Sequence, residues 1–221
     1  MKKMFKSFLC LVMALFITLA GGSFIGAKAS DMQELTADQI YKSHSASIFY
    51  MRVLKEDGTL KTVGSGFLIA GGKALTAFHV VEGGTSYEAV FDDGSTIRNL
   101  KIIKTSKDSD LALLAMEAGS RSGLELAAAE AEHGQKVFAL GYPMKATKII
   151  TEGIINTPEA EINGHSRILT SAQVASGMSG GPLLDRMGYV TGLISGSLRN
   201  MSNIHICISA ENIKSFIGGD E

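Results

Sequence analysis

Ser176-Gly177-Met178-Ser179-Gly180-Gly181-Pro182 sets a serine among three glycines and closes on a proline. Glycine lacks a Cβ, so it reaches backbone angles closed to other residues and lets a substrate come near. A tight turn of this composition can aim several backbone N–H groups at one point, where they stabilise a negatively charged oxygen. A hydroxyl beside that point can attack a carbonyl once a base takes its proton. The same composition also suits an ordinary turn.

The residues after the serine bear on the fold. Gly177-Met178-Ser179-Gly180-Gly181 satisfies the Gly-x-Ser-x-Gly elbow of α/β-hydrolases, but that elbow opens a helix and its histidine comes later in the chain. Pro182 with Leu183-Leu184 is a strand-like continuation, and little chain remains for the missing sheet. Strand patterns surround the stretch: 136–142, 148–156 and 166–172 before it, and 182–184, 189–195 and 203–208 after it. A composition rich in Ala, Glu, Gly and Ser over 117–134 separates these from an earlier group. That group comprises 47–53, 63–70, 74–78, 87–91, 96–104 and 111–116, with turns at Glu56-Asp57-Gly58, Gly71-Gly72 and Asp92-Asp93-Gly94. Two groups of about six short strands describe an all-β protein of antiparallel sheets or small barrels. Short helices flank them: one opens near Thr36, which stands at capping-box spacing from Gln39, and one covers 209–217 with Ser209 as N-cap.

Residues 1–29 read as a signal peptide: Lys2, Lys3 and Lys6, an apolar run over 7–26, then Ala27-Lys28-Ala29 as a small-x-small cleavage site. The alternative is an uncleaved membrane anchor. Cleavage after Ala29 removes four lysines and no acid, leaving 17 basic residues against 22 acidic ones, a net of −5. That balance argues against a nucleic-acid partner. It also leaves Cys207 as the only cysteine, so no intrachain disulfide can form. Stability must then come from the core, and 192 residues suffice to bury one.

A serine nucleophile needs a histidine base and an acid to orient it. His79 ends the apolar run Leu75-Thr76-Ala77-Phe78 and precedes Val80-Val81, whereas His44, His133 and His165 lie in polar, turn-like contexts and His205 is a packed or edge residue. Asp110 opens Leu111-Ala112-Leu113-Leu114, where a carboxylate can be shielded yet aimed at an imidazole; Asp108, flanked by Lys107 and Ser109, is the weaker choice. With Gly64-Ser65-Gly66-Phe67-Leu68-Ile69, Gly141-Tyr142-Pro143 and Glu152-Gly153-Ile154-Ile155 added, these segments resemble the chymotrypsin-fold serine proteases, nearest to the bacterial HtrA/Deg-type trypsin-like peptidases. The resemblance covers about residues 41–217.

The resemblance implies two six-stranded antiparallel β-barrels, the first over about 46–117 and the second over about 135–208, in a protease domain spanning 30–221 and closed by the C-terminal helix. It implies an exported serine endopeptidase acting on polypeptides, secreted or held in the cell envelope. His79, Asp110 and Ser179 would form the triad, and the N–H groups of Gly177 and Ser179 the oxyanion hole. No cofactor is expected, and no metal, since no His/Cys/Asp cluster has ligand spacing. A monomer is expected, with membrane contact only through an uncleaved leader. Met178 stands where digestive relatives keep an aspartate for a newly cut N-terminus, so no zymogen of that type is expected. Four residues follow Ile217, so no PDZ domain is expected. The resemblance puts the floor of the substrate pocket near Gln173 and its wall near Ile194-Ser195-Gly196, a neutral pocket suited to small or medium apolar side chains. The other class of function these residues allow is a non-catalytic binding module on a protease fold.

Overall fold

The computed structural model describes residues 34–219 apart from 118 and 199. The signal-peptide expectation for 1–29 lies outside them. Among the described residues no helix is long and apolar enough to cross a membrane. Helix α1 (Ala37–His44) starts as its sequence predicts: Thr36 is the N-cap, and its backbone N–H donates to Gln39 Oε1 at 2.9 Å.

The first sheet comprises β1 (Ile48–Leu54), β2 (Leu60–Ile69), β3 (Lys73–Ala77), β4 (Ser86–Val90), β5 (Thr96–Ile97), β6 (Lys101–Ser106) and β7 (Leu111–Ala115). A one-turn helix, α2 (Phe78–Val81), follows β3. The strands lie in the order β5-β4-β1-β2-β3-β7-β6, all antiparallel. Seven strands stand where the pattern predicts six, because the segment 96–104 breaks at Asn99, whose φ is +56°. Its halves β5 and β6 become opposite edges of the sheet, yet only residues 98–100 join them. Three linking residues span little more than about 14 Å, so the sheet has to curl until its edges nearly meet. This unit is therefore a half-closed barrel.

The second sheet closes fully, in the order β10-β13-β12-β11-β8-β9. Its strands are β8 (Lys136–Met144), β9 (Thr147–Ile162), β10 (His165–Thr170), β11 (Pro182–Asp185), β12 (Val190–Ser197) and β13 (His205–Ser209). Side chains alternate across a strand, and here both faces are apolar. Val137, Ala139, Leu183, Ile194 and Cys207 fill one cluster with Met178. Their neighbours Phe138, Leu140, Leu184, Leu193 and Ile208 join a larger cluster with the first sheet. The second barrel thus has its own interior and also a face buried against its partner. That explains the unbroken apolar run Val137-Phe138-Ala139-Leu140. Cys207 is fully buried in this interior, which pushes its thiol up to about 12.

The crossing segment is fastened to both units: Leu124 N–H donates to Leu68 O at 2.8 Å, and Ala127 N–H to Val190 O at 2.9 Å. The chain closes with α3 (Ala210–Gly218), whose N-cap Ser209 accepts a hydrogen bond from Asn212 N–H at 3.2 Å.

Candidate active site

Strand β3 carries the chain into α2 and so presents His79 at the edge of the first unit. Asp110 faces it from the turn before β7, in a left-handed conformation with φ +61° that few non-glycine residues adopt. The turn is held there because Phe78 N–H donates to Asp110 O at 3.0 Å. The carboxylate collects three donors. His79 N–H lies 3.0 Å from Oδ1, His79 Nδ1 lies 2.9 Å from Oδ2, and Ser195 Oγ donates to Oδ2 at 2.6 Å. A carboxylate is an acceptor only, so Nδ1 carries the imidazole proton and Nε2 is left free to accept one. Burial would raise the Asp110 carboxyl, but the hydrogen bond and charge of His79, with the bond from Ser195, outweigh it and hold the group below its ordinary 3.8. Asp108 is exposed; its backbone carbonyl accepts from Arg167 Nη2 at 3.0 Å.

Ser179 comes from the other unit, on a loop clamped at several points. Gly177 and Gly180 take φ +92° and +87°. A Cβ on Gly177 would lie 2.5 Å from Tyr142 O, and one on Gly180 would lie 2.2 Å from Ser65 O, so only glycine fits at either position. Ser65, on β2, holds the loop between the two units. Its N–H donates to Ser179 O at 2.8 Å, its hydroxyl donates to Gly177 O at 2.8 Å, and that hydroxyl accepts from Tyr142 N–H at 2.8 Å. Gly180 N–H donates to Ile194 O at 2.7 Å. Among the described residues, the N–H groups of Gly177 and Ser179 have no acceptor.

Ser195 is the meeting point. Strand β12 bulges between Ile194 and Gly196, which turns the Ser195 side chain towards Asp110. Its carbonyl accepts a long hydrogen bond, 3.4 Å, from Ser179 Oγ. His79 and Asp110 are thus in direct contact, and Ser179 reaches them through Ser195; no hydrogen bond joins His79 to Ser179. Around the expected pocket, Gln173 is exposed and its carbonyl accepts from Thr151 Oγ1 at 2.6 Å. Ile194 does not line a wall with its side chain, which is fully buried in the barrel interior by strand alternation. Gly196 has open space where a Cβ would stand. Of the other histidines, His44 bonds within α1 through Ile40 O at 3.1 Å, His133 is exposed, and His205 is buried. Among the described residues no group of His, Cys, Asp or Glu could hold a metal ion.

The family described as "Trypsin-like peptidase domain" matches residues 64–193, a span that contains His79, Asp110 and Ser179. The chain belongs to the trypsin-like peptidase family. Similar members of this family include "Protease Do-like 1, chloroplastic" of Arabidopsis thaliana, 28% identical over 186 residues, covering 75% of this chain and 42% of the relative. "Probable periplasmic serine endoprotease DegP-like" of Brucella suis is 34% identical over 137 residues, covering 59% and 26%. The chain therefore spans less than half the length of these relatives. Among solved structures, the serine endoprotease of Yersinia pestis superposes with a TM-score of 0.73 at 20% identity, covering 84% of this chain and 66% of the other. A protease of M. tuberculosis in its active form superposes at 0.72 and 24%, covering 82% and 85%. These two likenesses show the shared fold.

The roles of Ser65, Ser195 and His205 escape the sequence. Each lies inside a strand and meets its partner only through tertiary pairing; a polar residue interrupting a buried run, as in Gly64-Ser65-Gly66 and Leu193-Ile194-Ser195, is the one signal that could have marked two of them.

Proposed function

We propose that this chain is a serine endopeptidase using Ser179 as nucleophile, His79 as general base and acid, and Asp110 as the group that orients the imidazole. Ser179 Oγ attacks the peptide carbonyl carbon while its proton passes to His79 Nε2. The carbonyl electron pair moves onto oxygen, where the N–H groups of Gly177 and Ser179 receive it. Collapse expels the amine, which takes the proton from His79 and leaves an ester on Ser179. Water, deprotonated by His79, then hydrolyses the ester. Each oxyanion donor is worth about 3 kcal/mol of transition-state stabilisation in enzymes of this kind.

The observation that carries the reading is the carboxylate of Asp110 held on His79 Nδ1, with Ser195 linking that pair to Ser179. The reading requires the Ser179 hydroxyl to exchange Ser195 O for His79 when substrate binds, and catalytic contacts commonly tighten only in that complex. The leader-like residues 1–29 and the place-names of the relatives support action outside the cytoplasm, with 30–221 as the mature protease domain. One observation favours the alternative of a silent binding module: the resting Ser179 hydroxyl bonds to Ser195 O and not to His79. A serine-directed phosphonate separates the two. The peptidase is labelled as wild type and not as Ser179→Ala; a wild-type chain that resists the probe and leaves peptides intact overturns the reading.

A further inference from the structure

His205 is a buried imidazole that the proposed chemistry does not use, and it bonds to the two segments that flank Ser179 in the fold. It is 3% exposed and sits two residues from Cys207 on β13, hence on the same inward face, at the rim of the second barrel. Its ring bridges strand β12 and the segment before the Ser179 loop. Nδ1 lies 2.7 Å from Ser197 Oγ on β12, and Val174 N–H points at Nε2 from 3.4 Å. Val174 follows Gln173, and Ser197 is two residues past Ser195, whose carbonyl meets the Ser179 hydroxyl. Between Ser195 and Ser197, Gly196 has no Cβ and nothing within 4 Å of where one would be. A side chain entering beside Gly196 therefore meets Ser197, which is exposed, with His205 behind it.

The hydrogen bonds set the direction of the donors. Nε2 accepts from Val174 N–H, so the ring proton is on Nδ1 and is donated to Ser197 Oγ. Having accepted that bond, the Ser197 hydroxyl has its own proton free for the groove. Among the described residues no charged group bonds to it. The stretch 171–176 and strand β12 carry no titratable side chain. On β10, Arg167 is turned to Asp108 O and Ser166 O. Burial lowers the His205 imidazole from its ordinary 6.5, which keeps it neutral and the tautomer fixed.

We propose that Ser197, aimed by His205, is the primary-specificity filter of the protease and selects a side chain bearing a carbonyl or carboxylate oxygen, as in glutamine or glutamate, at the residue whose carbonyl Ser179 attacks. This rests on the peptidase reading and replaces the apolar pocket that the sequence suggests. Only the pairing of Ser197 with His205 across β12 and β13 brings residue 205 beside this stretch of β12. An aliphatic side chain in the groove would strip water from the Ser197 hydroxyl and return nothing. Sites built to donate a hydrogen bond discriminate strongly against ligands lacking the acceptor.

The test uses matched peptides that differ only at that residue, Gln, Glu, Leu or Arg, with wild type, Ser197→Ala and His205→Ala. The Gln and Glu peptides should exceed the Leu and Arg peptides in kcat/KM by at least about tenfold, and Ser197→Ala should collapse that ratio. Because His205→Ala opens a cavity and can fail to fold, exposed Ser197 carries the test by itself. A second measurement needs no hydrolysis: product peptides ending in Gln or Leu are added to Ser179→Ala, and the His205 ring resonances are followed by NMR. The Gln peptide should shift them and the Leu peptide should not. Hydrolysis that favours Leu or Arg, or a ratio unchanged in Ser197→Ala, overturns the filter and leaves the peptidase standing. Phosphonate resistance with intact peptides overturns the peptidase and, with it, the filter's part in hydrolysis; a His205 shift by the Gln peptide would then mark only a binding preference for the side-chain oxygen.

Discussion

Asp110 illustrates how much one carboxylate can organise. It fixes the imidazole tautomer, anchors the first turn of α2 and receives the Ser195 hydroxyl from the other unit. Its folded value is depressed, so its contribution to stability is complete above the ordinary 3.8 and is lost as pH falls through the depressed value. The urea midpoint of wild type should therefore exceed that of Asp110→Asn by a constant margin at neutral pH, and the margin should shrink below pH 3.8; a margin that grows on acidification contradicts the assignment. Ser65 acts at a distance from the chemistry. Ser65→Ala removes the hydroxyl that joins Gly177 O to Tyr142 N–H and frees the loop that carries the proposed oxyanion donors. The expected cost is about 1–2 kcal/mol of stability, with kcat falling about tenfold or more and KM little changed; equal changes in both parameters would mark a role in substrate binding. His79 and Asp110 draw notice in the sequence because each stands at the end of an apolar run, and Ser179 because glycines surround it. Ser65 and Ser195 do not, because their partners lie 112 and 85 residues away along the chain.

At the scale of elements, the strands were readable where apolar runs are bounded by Gly or Asp turns, and less so where the backbone itself decides. Strand β9 continues to Ile162, past the end near 156 that its pattern suggests, and Pro158 to Ile162 alternate between half-buried and exposed. The hairpin that stops it is Asn163-Gly164, with φ of +53° and +80°, the pair that a two-residue turn requires. Inside β9, Gly153 lets the strand meet the corner after β10: a Cβ there would lie 2.1 Å from Ala172 N and 2.5 Å from Ala172 Cα. Those are backbone atoms with nowhere to retreat. Gly153→Ala should destabilise by about 1–3 kcal/mol, read as a fall in the urea midpoint, and an unchanged midpoint would mean that β9 slides freely over this corner.

For the molecule as a whole, two groups of strands were foreseeable, whereas the large apolar cluster they share and the unequal closure of the barrels were not. What else binds the units is polar. The side chain of Lys148 on β9 is 1% exposed, lies 2.6 Å from Asp92 after β4, and also donates to Ser45 O; Tyr142 OH donates to the same Asp92 carboxylate. Breaking a buried pair costs about 3–5 kcal/mol. Because Asp92 is 46% exposed, Lys148→Ala should cost about 2–3 kcal/mol. The loss should be nearly independent of salt, since water scarcely reaches the ammonium group; a loss erased by added salt would show the pair to be a surface contact.

Cys207 turns the closed second barrel into its own clock. A thiol sealed inside that wall, and held far from its reactive anion, gives a disulfide reagent nothing to attack while the wall is shut. Each modified molecule is one whose barrel has come apart, so the pace of modification in plain buffer counts spontaneous openings, with no denaturant and no substrate.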